Sequence, residues 1–204
     1  MSDVQKQVYH PPTAILTYTG KLFDLADPQP EMFDIIDVAH ALSQICRFTG
    51  HVEGFYSVAQ HSILASRWFE REGFNPEVIF QALMHDCSEA YAGDSSRPLK
   101  KACPALRKIH DDIMDVASQA FGFAWPMYPE VREIDDELVC AEGEALFPQH
   151  VQRDEEGHLP GQWPVVEGMA FESPLMSPES AEQSFLAHYS EAKEKVEKFR
   201  RQQV

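Results

Sequence analysis

A polar cluster inside an apolar helical segment is the feature that most constrains this chain. Residues 81–94, QALMHDCSEAYAGD, place His85 and Asp86 among apolar side chains, with Glu89 one turn later and Asp94 after a glycine. A carboxylate in apolar surroundings becomes neutral, forms an ion pair or binds a metal. The segment therefore predicts a buried polar site, and a metal centre is the first hypothesis.

The sequence around this segment repeats apolar residues at helical spacing, which predicts an all-α bundle of about six helices. Their predicted starts are Asp34, Ser57, Asn75, the residue after Pro104, the residue after Pro129, and Ser177. The first helix is expected to continue to Gly50 and to carry Arg47 and Phe48 at its end. The third is expected to run without a break to Gly93.

Length and composition favour one domain spanning residues 1–204, because a chain of 204 residues with 44% hydrophobic residues can bury a substantial core. Residues 1–33 predict a short hairpin or an extended entry segment. Residues 148–176 show no period and predict an irregular insertion, with a short strand at 164–166. The single domain therefore carries two segments outside its helical pattern.

Charge and hydropathy exclude several classes of partner. The net charge of -16 argues against a nucleic-acid polymer, since phosphate backbones are bound by an excess of Lys and Arg. No apolar run approaches the roughly 20 residues of a membrane-spanning helix. The N-terminus has neither a basic nor an apolar targeting region. We expect a cytoplasmic protein, or one in the host cytoplasm if a phage encodes it.

Two further helices place polar groups on apolar faces. His61 shares a face of the second helix with Val58 and Ala65, and the fifth helix carries Asp135 beside Asp136. Asp135 is preferred, because it lies next to the apolar stripe whereas Asp136 points outward. Imidazole and carboxylate together suit Mn, Fe, Co, Ni or Zn. These groups and the His85-Asp86 pair define the predicted metal site.

These motifs, in this order, resemble those of the HD-domain metal-dependent phosphohydrolases. The resemblance rests on VAQHS at 58–62, HDCSE at 85–89, the Gly93-Asp94 pair and a later helical aspartate. It covers roughly residues 35–142. Within that superfamily the chain is similar to the small 5'-deoxynucleotidases and to the phage-type dATP triphosphohydrolases, which implies a helical hydrolase with a small-molecule nucleotide substrate.

The resemblance assigns a role to each matching position. It implies that the metal ligands are His61, His85, Asp86 and Asp135. Glu89 and Asp94 would orient or deprotonate the attacking water. Arg47 would face the substrate phosphate, and Phe48 would stack on the base or sugar. Pairing into a homo-oligomer is also implied.

Further groups and alternatives stay open. Arg97 and Lys100, just beyond Asp94, are available to offset phosphate charge, and Mg²⁺ is a candidate at a second site. The resemblance implies as substrate either a deoxynucleoside triphosphate such as dATP or a 5'-monophosphate. The alternatives are an HD phosphodiesterase acting on another phosphoester, and a non-catalytic helical protein with a structural metal.

Overall fold

The chain folds as a predominantly helical bundle with a small β-hairpin at its N-terminal side, which confirms the predicted all-α class. The computed structural model describes residues 10–155, 159, 171 and 174–203. Its helices are α1 (Ile35–Gln44), α2 (Val58–Arg71), α3 (Pro76–Met84), α4 (Glu89–Ala92), α5 (Arg97–Ala102), α6 (Pro104–Phe121), α7 (Pro129–Leu146) and α8 (Pro178–Arg201). Short 3₁₀ turns lie at Pro30–Met32 and Phe48–Gly50.

The hairpin pairs β1 (Ala14–Leu16) with β2 (Leu22–Asp24) in antiparallel register. Phe23 anchors it, because its buried ring stacks on Tyr91 of α4 at 3.8 Å between centroids. The turn is held by Thr19, whose backbone N–H donates to the Asp37 carboxylate of α1 at 2.6 Å. The hairpin is therefore packed onto the bundle.

Side-chain caps fix where α1, α2, α3 and α8 begin, as the sequence predicts. The Asp34 carboxylate accepts a hydrogen bond from the Ile36 N–H, and the Ser57 hydroxyl accepts one from the Gln60 N–H. Asn75 and Ser177 cap α3 and α8 in the same way. Each cap satisfies an N–H group that the first turn leaves without a helical partner.

Helix α8 packs against α1, α2 and α3, and its fully buried Phe185 lies in the main core. A second, smaller apolar cluster joins α2, α3 and α7 through residues such as Phe69, Ala82 and Leu138. This cluster sets α2, α3 and α7 side by side. Polar side chains on their inner faces can then meet at one point.

The first helix is shorter than predicted. It ends at Gln44, and Arg47 and Phe48 lie on the loop between α1 and α2. The chain turns extended at this point: Cys46 forms an antiparallel bridge with Ser57, and the Arg47 N–H donates to the Tyr56 carbonyl at 2.8 Å. Pairing between the two ends of the loop replaces the expected last turn.

The third helix is interrupted where it was predicted to be continuous. It ends at Met84, and N–H groups of the next residues bond to carbonyls three positions earlier, as Cys87 does to Met84. Such bonds tighten the backbone into 3₁₀-type turns. The Ala82 carbonyl, which would accept from the Asp86 N–H in a regular helix, accepts from the His85 ring at 2.7 Å. Helix α4 follows and ends at Gly93.

The other differences are local. Helix α5 has no counterpart among the predicted helices, because its sequence RPLKKA is too short and too basic to display an apolar period. The predicted strand at 164–166 lies outside the described residues. Within the described part of the chain, no helix has the length and apolar character needed to cross a bilayer.

Candidate metal centre and active site

His61, near the start of α2, is fully buried, and its two ring nitrogens face different partners. Nδ1 lies 2.7 Å from Oε1 of Glu142 in α7, at hydrogen-bonding distance. An ionised carboxylate only accepts hydrogen bonds, so this contact assigns the ring proton to Nδ1. The lone pair of Nε2 then faces the interior of the helix group, where the other polar residues converge.

His85, just after α3, is held in the same tautomer by the backbone. Its Nδ1 donates to the Ala82 carbonyl at 2.7 Å, because a carbonyl oxygen can only accept. Its Nε2 lies 3.2 Å from the Nε2 of His61. Two lone pairs at this distance repel each other, so the pair of rings needs a proton or a metal ion between them.

Two aspartates complete this polar centre, a name used below for His61, His85, Asp86 and Asp135. Oδ2 of Asp86 lies 3.4 Å from the His85 Nε2 and 3.8 Å from that of His61. Oδ1 of Asp135 lies 3.1 Å from His61 Nε2 and 3.5 Å from His85 Nε2. Asp136 is turned toward Arg97 instead. Helices α2 and α7 and the turn after α3 each contribute to the centre.

The charges of the centre are arranged to hold a cation. Burial alone lowers the pKa of His85, but the carboxylates of Asp86 and Asp135 outweigh it and raise the pKa to about 9. Burial raises the pKa of Asp135, yet its contacts with the His61 and His85 imidazoles outweigh burial and bring the pKa well below the usual range. Positive charge between the rings is therefore strongly favoured.

The donor atoms fit a metal ion. One ligand atom each from His61, His85 and Asp86 lies within 4.8 Å of the others, so this group can hold an ion among them. Each imidazole has its second nitrogen committed to an acceptor, the arrangement that orients histidine ligands in metalloproteins. Two imidazoles and a carboxylate suit first-row divalent metals.

Arg47 reaches the polar centre from the loop between α1 and α2. Its Nη1 lies 3.3 Å from Oδ2 of Asp86, and its side chain is largely buried. Burial disfavours its charge, but Glu142 and Asp86 more than compensate and raise its pKa above the usual value. Arg47 is therefore a fixed positive charge beside the candidate metal ligands.

Phe48 follows Arg47 in a strained backbone. Both Phe48 and Thr49 have φ of 55°, a left-handed conformation that costs a residue other than glycine about 1–3 kcal/mol. The Phe48 ring meets Phe147 edge to face at 5.5 Å, and the Arg47 guanidinium lies 5.7 Å from its centroid. The loop thus presents a half-buried aromatic wall next to a buried cation.

Glu89 and Asp94 lie on the next part of the chain. Glu89 is 4% exposed, and its Oε1 accepts from Lys100 of α5 at 3.2 Å. Burial, followed by the nearby charges of Asp86 and Asp94, raises the pKa of Glu89 well above its usual range. Burial likewise raises the pKa of Asp94, against the opposing effect of Arg47. Both are carboxyl groups with unusually high proton affinity.

Helix α5 carries the two basic residues that are predicted to bind the substrate, and each of them contacts an acidic side chain. Arg97 forms ion pairs with Asp135 and Asp136, with Nη2 lying 3.4 Å from Oδ2 of Asp135. Lys100 is paired with Glu89. All ten predicted site residues thus lie on α2, α7, the α1–α2 loop, or the segment from His85 to α5.

Two residues of the site were not predicted. Glu142 and Tyr56 are both fully buried, and the Tyr56 hydroxyl donates to Oε1 of Glu142 at 2.5 Å. The available signal was that Glu142 lies seven residues after Asp135, two helical turns away on the same face. Tyr56 gave no signal, because it reaches Glu142 only through the folding of the α1–α2 loop.

Comparison with known proteins finds two relatives, both described only as uncharacterized proteins. YfdR of Escherichia coli is 35% identical over 155 residues, covering 76% of this chain and 79% of YfdR. A protein of Rhodobacter capsulatus is 39% identical over 88 residues, covering 41% of this chain and 45% of that protein. No family model matches the sequence.

Proposed function

We propose that this chain, which belongs to the family of Escherichia coli YfdR, is a metal-dependent phosphohydrolase acting on deoxynucleotides. The geometry of its polar centre supports the metal-dependent chemistry, and the sequence motifs support the substrate. The observation that carries the proposal is the 3.2 Å approach of the Nε2 atoms of His61 and His85. Both rings have their Nδ1 protons committed elsewhere, so their lone pairs converge where two carboxylates also point.

The proposed ligand set is His61, His85, Asp86 and Asp135. The first three can hold an ion among them, and the proposal adds Asp135 because its Oδ1 lies 3.1 Å from the His61 Nε2. When bound, a divalent ion lowers the pKa of water from about 15.7 to about 7 and polarises a phosphoryl oxygen. Mn²⁺, Co²⁺, Fe²⁺, Ni²⁺ and Zn²⁺ all suit these donors.

Glu89 and Asp94 supply the proton chemistry in this proposal. Glu89 is buried three residues after Asp86, and burial raises the pKa of its carboxyl group, so it binds a proton more readily than an exposed glutamate does. Its Oε1 contacts Lys100, whereas no hydrogen bond to Oε2 is found within the described part of the chain. Oε2 is therefore a buried acceptor that a bound water molecule would satisfy. Asp94 provides a second carboxyl group for orienting that water.

Arg47 binds the phosphoryl group in this proposal. Its guanidinium is buried beside Asp86, where a positive charge attracts phosphate oxygens more strongly than at an exposed site. In a chain of net charge -16, a local cation is needed to admit an anionic substrate. Phe48 and Phe147 form an adjacent aromatic wall suited to a nucleobase or sugar.

The deoxynucleotide substrate rests on the sequence motifs, and a hydrolysis panel tests it. Metal-stripped protein would be assayed with Mn²⁺ or Co²⁺ against deoxynucleoside and ribonucleoside mono- and triphosphates. We expect metal-dependent release of phosphate from a monophosphate or of triphosphate from a triphosphate, with the deoxynucleotides preferred. A panel without turnover under any of these metals would refute the proposed function. Bis(p-nitrophenyl) phosphate, added as a diester, distinguishes a phosphodiesterase.

A further inference from the structure

We propose that Glu142 is a positioning residue that couples the metal centre to the phosphate-binding arginine, an inference that rests on the proposed function and deepens it. Glu142 lies on α7 and is fully buried. Its two carboxylate oxygens divide their partners between His61 and Arg47. One side chain therefore fixes two groups that must act on the same phosphate.

The first oxygen orients the histidine. Oε1 accepts from the Nδ1 of His61 at 2.7 Å and from the Tyr56 hydroxyl at 2.5 Å. The first contact sets the tautomer in which Nε2 faces the polar centre. Tyr56, itself fully buried, donates to the same Oε1, so the carboxylate cannot rotate away from the imidazole without losing a buried hydrogen bond.

The second oxygen faces the arginine. Oε2 forms an ion pair with Arg47, 3.3 Å from its Nε, although neither of these two atoms completes a hydrogen bond among the described residues. Nη1 of the same guanidinium lies 3.3 Å from Asp86. Arg47 is thus held between Glu142 and a candidate metal ligand. Its direction depends on both, because a guanidinium is planar and its donors have fixed relative positions.

A glutamine at this position cannot replace the carboxylate. Tyr56 and His61 donate hydrogen bonds to Oε1, and the positively charged Arg47 guanidinium forms an ion pair with Oε2. An amide has one acceptor oxygen and one donor nitrogen, so either the imidazole or the guanidinium would meet another donor. Glu142→Gln keeps the shape and should weaken metal and phosphate binding together.

The experiment measures binding directly, without turnover. Metal-stripped protein would be titrated with Co²⁺ by calorimetry, and then with inorganic phosphate at saturating Co²⁺. We expect Glu142→Gln to weaken Co²⁺ binding about 10- to 100-fold, the range for outer partners of metal-binding histidines. Phosphate binding should fall by about 10-fold, because Arg47 loses its second anchor.

Two further variants separate coupling from general loosening. Tyr56→Phe removes only a contact to Oε1, so it should weaken Co²⁺ binding and leave phosphate binding unchanged. Glu144→Gln is the matched control on the same helix, since Glu144 pairs with Arg153 and not with the centre. It should change neither affinity.

Three outcomes would overturn the inference. If Glu142→Gln and Glu144→Gln bind Co²⁺ and phosphate equally well, Glu142 has no positioning role. If Tyr56→Phe loses Co²⁺ and phosphate affinity to the same extent, the substitutions act by loosening the packing around the site as a whole. In either case the proposed function survives, because wild-type binding is intact. Wild-type protein that takes up no Co²⁺ would refute both.

Discussion

Asp86→Ala is expected to abolish metal-dependent hydrolysis and to remove the bound ion. Asp86 is one of the three side chains whose ligand atoms lie within 4.8 Å of one another. Loss of a direct ligand should exceed the roughly 10- to 100-fold effect of losing an outer partner. We therefore expect a fall in turnover of more than about 100-fold, measured as product release at saturating substrate, with a matching loss of Co²⁺ affinity.

The matched control for that substitution is Asp112→Ala on α6. Asp112 is an aspartate paired with Lys108 on the outer side of its helix. Its removal should leave turnover and Co²⁺ affinity at wild-type values, because exposed ion pairs of this kind contribute little. Wild-type turnover in Asp86→Ala would show that the polar centre is not the site of hydrolysis.

Glu89→Gln is expected to slow hydrolysis while leaving the metal in place. Glu89 is buried beside the centre but is not among the proposed ligands. A positioned proton-transfer group contributes about 10²- to 10⁴-fold, and an amide cannot exchange a proton in its place. We therefore expect kcat to fall by that factor while the Co²⁺ affinity stays unchanged. Asp86→Ala, in contrast, should lose both turnover and Co²⁺ affinity.

The pH profile gives a second check on Glu89. Its pKa is raised by burial and by Asp86 and Asp94, so the carboxyl group keeps its proton at a higher pH than usual. As the group that accepts a proton, it is active only above that pKa, and kcat should rise with pH through it. Glu89→Gln should lack this rise, whereas Glu191→Gln on α8 should retain it. A Glu89→Gln profile identical to wild type would contradict the assignment.

The helical framework could be predicted because its signals are local. Capping residues such as Asp34, Ser57 and Asn75 can be recognised from the few residues that follow each of them. In the structure, α1, α2 and α3 begin directly after these residues. The errors arise where a contact outside the helical pattern stops the helix, whether it comes from another part of the chain or from a neighbouring side chain. Helix α1 stops early because the Arg47 segment pairs with Tyr56, and α3 stops early at the His85–Ala82 contact.

The same distinction applies to the site. His61, His85 and Asp86 stand out in sequence because polar side chains on apolar helix faces are costly to bury. Glu142 also lies on an inward face, but its partners come from α2 and from the α1–α2 loop. Its role depends on how three elements pack, which no local pattern encodes. The ion pairs of Arg97 with Asp135 and Asp136 likewise depend on how α5 packs against α7.

The central claim is that the polar centre holds a divalent ion on which hydrolysis depends. The most direct measurement is to strip the wild-type protein with a chelator, assay a deoxynucleotide substrate, and then restore Mn²⁺ or Co²⁺ while recording metal content. We expect activity to disappear with the metal and to return as the polar centre refills. Full turnover by protein shown to contain no metal would contradict the account.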